Sequence, residues 1–165
     1  MNVGAPRGNL HGAPMADKLF YLTVQDVLWI NRQIIRRDTT FQFAKLEEAT
    51  YYQYAYGDSH ELLAQAARFI KGFMKMAPLG EGNEATAFVA TMAFLSINGH
   101  TTTLRGEEAA DWFRNLQDPR PALESVARSN SHGEHHEVKP NVREHISNVL
   151  VRYAPAIGKL SAVTA

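Results

Sequence analysis

The chain lacks cysteine, and it lacks a net charge. The absence of cysteine among its 165 residues excludes disulfides, thiolate zinc sites and thiol nucleophiles, and with them the disulfide-rich secreted scaffolds. Seventeen basic residues balance seventeen acidic ones, so no strong field attracts a polyanion. We therefore expect a cytoplasmic protein that does not bind nucleic acid nonspecifically.

Long apolar segments are also missing. No window has the run of about 20 apolar residues that a membrane-spanning helix needs, so we expect no membrane association of this kind. Residues 1–17 are rich in Gly, Ala and Pro but contain no apolar core of the kind a signal peptide has. They are predicted to form a flexible leader.

Apolar residues at helical spacing dominate the rest of the chain. The hydrophobic content of 45% is enough to fill the core of one domain. No convincing pair of alternating strands accompanies these helical segments, so the predicted class is all-α, with one domain at 18–153 and a tail at 154–165. The predicted helices cover 24–37, about 44–56, 61–75, 84–97, 107–116, 122–128 and 141–153.

The segment 84–97 has no charged residue after its first position. Its large apolar residues reach nearly all the way round a helical wheel, which is typical of a helix buried on every side. Asn98 and Gly99 follow, a pair suited to a left-handed C-cap. We therefore expect 84–97 to be the central helix of the bundle.

A glycine-rich loop, residues 77–86, leads into this central helix. Loops of this kind at a helix N-terminus can hold phosphate groups. The loop is also compatible with an ordinary helix start, in which Asn83 is the N-cap and Glu84 complements the helix dipole. A pocket that holds Mg²⁺ through Glu81, or a small ligand, is the functional alternative, and the residues leave both interpretations open.

Three segments in order resemble the Fic/Doc (Fido) family, most closely its death-on-curing, Doc-like branch. They are 22–28 (LTVQDVL), the loop 77–86 (APLGEGNEAT) and 93–100 (AFLSINGH), within a stretch of about 20–116. The family's fold is a compact bundle around a central helix whose N-terminal loop holds the active site. The resemblance thus implies a single-domain, all-α helical bundle around the buried segment 84–97.

The family's motif reads His-Pro-Phe-x-[Asp/Glu]-Gly-Asn-[Gly/Lys]-Arg, and residues 77–85 read Ala-Pro-Leu-Gly-Glu-Gly-Asn-Glu-Ala. In the family the acidic residue binds Mg²⁺ that bridges nucleotide phosphates, while the Gly-Asn pair and the following amides form an anion hole. The resemblance therefore implies Glu81 as a magnesium ligand. It implies a nucleotide loop made of Gly80, Gly82, Asn83 and Glu84.

The departures from the motif fall on its chemistry. The family's general base is a histidine, and Ala77 stands in its place; loss of such a base commonly lowers the rate by about 10² to 10⁴-fold. Ala85 replaces the arginine that binds phosphate oxygens, and Glu84 brings an anion to the same place. We expect a protein that is inactive or strongly impaired in AMP or phosphate transfer.

Such a protein would act as a binding or regulatory protein linked to a toxin–antitoxin system, with an antitoxin-like segment or a target protein as its partner. An alternative is an enzyme on the same scaffold, a nucleotidyl- or phosphotransferase with altered residues, in which Glu81 holds a metal and Glu84 is the base. These two hypotheses differ in whether Mg²⁺ and a nucleotide bind at all.

A histidine-rich segment at 129–137 supports a third hypothesis. His132, His135 and His136 are close enough in sequence to bind Zn²⁺, Ni²⁺ or Cu²⁺. The polar composition of the segment equally fits a solvated loop, since a specific site needs several ligands held in a fixed polyhedron.

Overall fold

A computed structural model describes residues 18–54, 61–130 and 139–162. Within these ranges the chain forms eight helices and one antiparallel pair of short strands. The helices are α1 Val24–Ile35, α2 Phe43–Tyr51, α3 Leu62–Met76, α4 Asn83–Ile97, α5 Ala109–Arg114, α6 Pro119–Val126, α7 Val142–Arg152 and α8 Ala154–Ser161. The strands are β1 His100–Thr102 and β2 Ala127–Ser129.

The fold is all-α, as the sequence predicts, and α4 is its central helix. Twelve of the fifteen residues of α4 are buried. Helices α1, α3, α7 and α8 all pack against it. The alanines at 87, 90 and 93 are completely buried, and their small side chains let the neighbouring helices approach closely.

The start of α1 agrees with the prediction from its sequence. Thr23 and Asp26 form a capping box, in which the Thr23 hydroxyl accepts from the Asp26 amide at 3.1 Å and the Asp26 carboxylate accepts from the Thr23 amide at 2.8 Å. The helix ends earlier than the predicted residue 37, because Arg36 adopts the left-handed conformation with φ 68°. Arg37 is thereby directed out of the helix.

The sequence predicts a short β-like connector at 101–104, but it does not predict strand β2 or the pairing of β1 with it. Residues 127 and 128 belong to a predicted helix at 122–128, but Ala127 is extended and pairs with Thr102. The helix also begins earlier, at Pro119, since Asp118 caps it and proline suits the first helical turn. Two strands of three residues do not change the fold class.

Residues beyond 153 belong to the packed domain. The sequence predicts a tail from residue 154, whereas the structure has helix α8 at Ala154–Ser161, with Ala156, Ile157 and Leu160 buried. Pro155 lies in the first turn of α8, where its missing amide hydrogen is not needed. The domain therefore extends through α8, and the predicted leader at 1–17 lies outside the described residues.

Long apolar helices are absent from the described residues. None of the helices there is both long enough and apolar enough to cross a bilayer.

Candidate functional site

The loop at 77–86 connects α3 to α4 and begins at Ala77. Ala77 ends α3 in the left-handed conformation with φ 40°, and its amide donates to the Phe73 carbonyl at 2.8 Å. Its methyl group is exposed. The residue that would replace a catalytic base therefore stands at the surface with no group that accepts a proton.

The segment 38–42 holds the first half of the loop. The Gly80 amide donates to the Thr40 carbonyl at 2.7 Å, and Leu79 forms an isolated antiparallel bridge with Phe41. A Cβ at Gly80 would lie 2.3 Å from the Thr40 hydroxyl oxygen, so a larger residue there would require the Thr40 side chain to move. Leu79 is 4% exposed and belongs to the core.

Asn83 folds the loop back on itself. Its side-chain oxygen accepts from the Leu79 amide at 2.9 Å, and its side-chain nitrogen donates to the Leu79 carbonyl at 2.8 Å. The predicted role of Asn83 as the N-cap is wrong, because the N-cap is Gly82 with φ 77° and Asn83 is the first residue of α4. A residue with a Cβ is strained at that φ, which explains why the loop has glycine there.

The side chain of Asn31 in α1 forms hydrogen bonds to the end of the loop. It is 1% exposed, and its side chain donates to the Glu81 carbonyl at 3.0 Å and to the Thr86 hydroxyl at 3.1 Å. Sequence reasoning missed this residue. The sequence feature that could have identified it is a polar side chain on the face of α1 that also carries the buried Val27 and Ile30, since a buried polar group needs hydrogen-bond partners.

The carboxylate of Glu81 is bound by Arg37. One guanidinium nitrogen of Arg37 donates to both carboxylate oxygens, at 2.6 Å and 2.5 Å. No group of three or more His, Asp or Glu side chains suited to a metal occurs in the described part of the chain. A magnesium ion would have to displace Arg37, so this arrangement fits a phosphate-bridging Mg²⁺ poorly.

Glu84 is paired in a similar way on the other side of the loop. Its carboxylate lies 3.2 Å from Nε of Arg114 in α5, and Arg114 also donates to the Lys159 carbonyl at 2.8 Å. A carboxylate in the first turn of a helix is favourable for the helix dipole. The charges of Glu81, Glu84, Arg37 and Arg114 cancel one another.

Ala85 lies in the core. Its side chain is 0% exposed, and so are those of Ala87 and Phe88 in the next part of α4. In the motif that the loop resembles, this position carries the arginine that binds phosphate. An arginine here would have to extend its guanidinium out of the core, because an unpaired buried charge is very unfavourable.

The two histidines in the described ranges, His100 and His145, lie at the far end of α4. His145 Nδ1 is 2.7 Å from the Ser96 hydroxyl, and His100 Nδ1 is 3.3 Å from the Asn98 carbonyl. A helix of fifteen residues is about 22 Å long, so neither imidazole reaches the loop. The remaining histidines, including His132, His135 and His136, are outside the described residues.

Sequence patterns indicated the loop but not its ionic partners. The basic pair at 36–37 was a weak signal for a cation near the loop, whereas Arg114 gave no signal at 30 positions from Glu84. Comparisons with protein-family models, with curated proteins and with solved structures give no match to this chain. The likeness to the Fic/Doc family therefore depends on the residues of the three segments alone.

Proposed function

We propose that this chain is a Fic/Doc-like protein that does not transfer AMP or phosphate and that acts by binding a polypeptide partner. The observation that carries the proposal is the complete burial of Ala85. In the motif that the loop resembles, the arginine at this position binds phosphate oxygens, and a buried alanine has no group that can do so. The scaffold has kept its loop without the group that would hold the substrate.

Transfer of AMP or phosphate also requires a general base. Ala77 cannot accept a proton, and His100 and His145 lie at the other end of α4. In the alternative enzyme Glu81 is the metal ligand and Glu84 is the base, and these two carboxylates are paired with Arg37 and Arg114. Each arginine competes with a metal ion or a proton for its carboxylate, which disfavours the enzyme with altered residues.

Exposed aromatic side chains beside the loop favour the binding role. Phe41 is 42% exposed and Phe43 is 55% exposed, although both are large and apolar. Phe41 is also the residue that pairs with Leu79 of the loop. Aromatic residues are enriched in protein interfaces, so we assign this surface to the partner, which the resemblance identifies as an antitoxin-like segment or a target protein of a toxin–antitoxin system.

A labelling assay tests the absence of transfer. The purified chain is incubated with Mg²⁺ and ATP labelled at the α- or γ-phosphate, together with lysate proteins, and a heat-denatured sample gives the background. We expect no label above that background and no rise in thermal stability, whereas a nucleotide at 100 times its Kd would add about 2.7 kcal/mol. Transfer that is lost in Glu84→Gln would instead support the altered enzyme.

Site-specific photo-crosslinking tests the partner surface. Benzoylphenylalanine replaces Phe43 in one version of the chain and Val151 in another, since Val151 is 79% exposed on α7 and serves as the control. The product of the adjacent gene is co-expressed as the candidate partner. We expect a crosslinked complex from position 43 alone, and loss of the complex in Phe43→Asp but not in Val151→Asp. Equal crosslinking at both positions would contradict the proposal.

A further inference from the structure

A cavity of about 180 Å³ lies at the C-terminal end of α4, between α4, β1 and α7. It is separated from the loop at 77–86 by the length of the central helix, about 22 Å for its fifteen residues. It therefore belongs neither to the loop nor to the aromatic surface beside it.

Apolar side chains form one side of the cavity. They come from Met92 and Leu95 of α4 and from Val149 of α7, which are 4%, 1% and 7% exposed. An apolar cavity of about 150 Å³ in another protein is large enough to bind benzene. The cavity thus has the size for a single aromatic ring with a small substituent.

The cationic group at the rim is Arg152. Its guanidinium donates to the Thr101 hydroxyl at 3.1 Å and to the carbonyls of Thr102 and Leu104 at 2.8 Å and 3.0 Å. It also stacks 4.8 Å above the ring of Tyr153. These contacts hold the guanidinium in one orientation, which reduces the entropy lost when a ligand binds.

Arg152 has no carboxylate partner among the described residues, in contrast to Arg37 and Arg114. The described residues that line the cavity include no aspartate or glutamate. Asn148, which also lines it, has no side-chain hydrogen bond within the described ranges and can donate to an anion. The rim is therefore positively charged and keeps hydrogen-bonding capacity that the protein itself does not use.

The C-terminal end of α4 is unfavourable for a bound anion, because its carbonyl groups carry partial negative charge. The amides of Asn98 and Gly99 already donate to the carbonyls of Leu95 and Ser96, at 3.1 Å each. Those bonds weaken the repulsion, and the full charge of Arg152 exceeds the partial charge of the helix end.

We propose that this cavity binds a small aromatic monocarboxylate of the size of benzoate. The ring packs against Met92, Leu95 and Val149, and the carboxylate accepts hydrogen bonds from Arg152 and Asn148. Arginine suits this task because its planar guanidinium matches the geometry of a carboxylate.

Calorimetric titration of the full chain with benzoate tests the site, with benzyl alcohol and benzylammonium as neutral and cationic analogues of the same shape. We expect saturable binding of benzoate and at least tenfold weaker binding of both analogues. NMR shifts should be confined to residues around 92–102 and 148–153. Equal affinity for benzyl alcohol, or no saturation at millimolar benzoate, would overturn the proposal.

Variants locate the binding to the cavity. Arg152→Gln should weaken benzoate binding at least tenfold, and Asn148→Leu about fivefold. Val149→Phe should abolish it by filling the cavity. The control is Arg128→Gln on β2, which removes another arginine without a carboxylate partner among the described residues and should leave affinity unchanged.

Arg152 also holds β1, so its replacement can reduce folding. In that case Asn148→Leu decides the question, because Asn148 is exposed and has no side-chain hydrogen bond within the described ranges. Val149 is 7% exposed, so Val149→Phe is used only if thermal unfolding shows that it is folded. Unchanged affinity in both variants would show that benzoate binds elsewhere. Loop variants such as Glu84→Gln should leave benzoate binding intact, so this proposal and the proposed function fail independently.

Discussion

The side-chain nitrogen of Asn31 donates a hydrogen bond to the main-chain carbonyl of Glu81, 3.0 Å away and 50 positions later in the chain. The same nitrogen lies 3.1 Å from the Thr86 hydroxyl. One buried carboxamide on α1 thus binds both the end of the loop and the first turn of α4. The shape of the loop depends on the packing of α1 against α4.

Replacement of Asn31 by alanine should destabilise the fold. It leaves the Glu81 carbonyl and the Thr86 hydroxyl without this partner, and an unsatisfied buried polar group costs about 1–3 kcal/mol. Urea unfolding of Asn31→Ala measures the loss. The control is Asn115→Ala, whose bond to the Asp111 carbonyl is exposed and whose cost we expect within about 0.5 kcal/mol. Equal losses in the two variants would contradict the role given to Asn31.

Restoration of the motif arginine should unfold the protein rather than activate it. Ala85→Arg places a charge where the structure has 0% exposure, and an uncompensated buried charge costs about 3–5 kcal/mol. Ala44→Arg, on the exposed face of α2, is the control and should change stability by less than about 0.5 kcal/mol. Thermal unfolding compares the two. A stable Ala85→Arg variant that binds ATP would remove the basis of the proposed function.

Two glycines should respond in opposite directions to alanine. Gly82→Ala combines φ 77° with a Cβ that would lie 2.8 Å from Ile35 Cδ1, so we expect a loss of about 1–3 kcal/mol. Gly158 lies within α8 with no atom within 4 Å of an added Cβ. Gly158→Ala should therefore stabilise the protein by about 0.4–1 kcal/mol. Chemical denaturation of both variants checks the signs, and a stable Gly82→Ala would show that the loop conformation is not required.

Stability should fall in mildly acidic solution because of His145. Burial lowers the pKa of His145 below its ordinary value of 6.5, and the opposing effect of Glu144 is smaller. The unfolded chain then binds this proton more readily than the folded one. The contribution is complete above about pH 6.5 and is lost as the pH falls through the lowered pKa of the folded state.

The variant His145→Asn isolates this contribution. Its side-chain oxygen can still accept from Ser96, but it does not titrate, and every other histidine is unchanged. Unfolding free energies of both proteins are measured from about pH 8 to about pH 5. The difference between them should be constant above about pH 7 and should move in favour of the variant at lower pH. A difference that does not vary with pH would contradict the lowered pKa of the partly buried His145.

Much of the helical structure could be predicted because its signals are local. The burial of α4 follows from an uninterrupted apolar segment, and the start of α1 follows from Thr23. Ala127 shows the limit: a helix-forming residue becomes extended because β1 is available to pair with it. Helix α8 escaped prediction because Pro155 indicated an end, although proline is also suited to a first turn.

The candidate site, too, could be predicted only in part from the sequence. Its loop, its glycines and its missing histidine and arginine are visible in the sequence. The pairing of Glu81 with Arg37 and of Glu84 with Arg114 is not, since the partners are 44 and 30 positions away. Neither is the burial of Ala85, because alanine is common both in cores and on surfaces. These facts decide between an open anion site and a neutralised one.

By itself, the sequence determined the class of the fold, the identity of the central helix and the chemical groups that the loop lacks. Each of these depends on residues within a turn or two of one another, or on composition alone. Only the tertiary structure decided that the loop's carboxylates are held by arginines, that Ala85 belongs to the core, and that Arg152 stands without a carboxylate partner in the described ranges beside a ring-sized cavity. The physical reason is that such pairings and cavities arise where elements distant in sequence pack together, and that packing is set by the whole core.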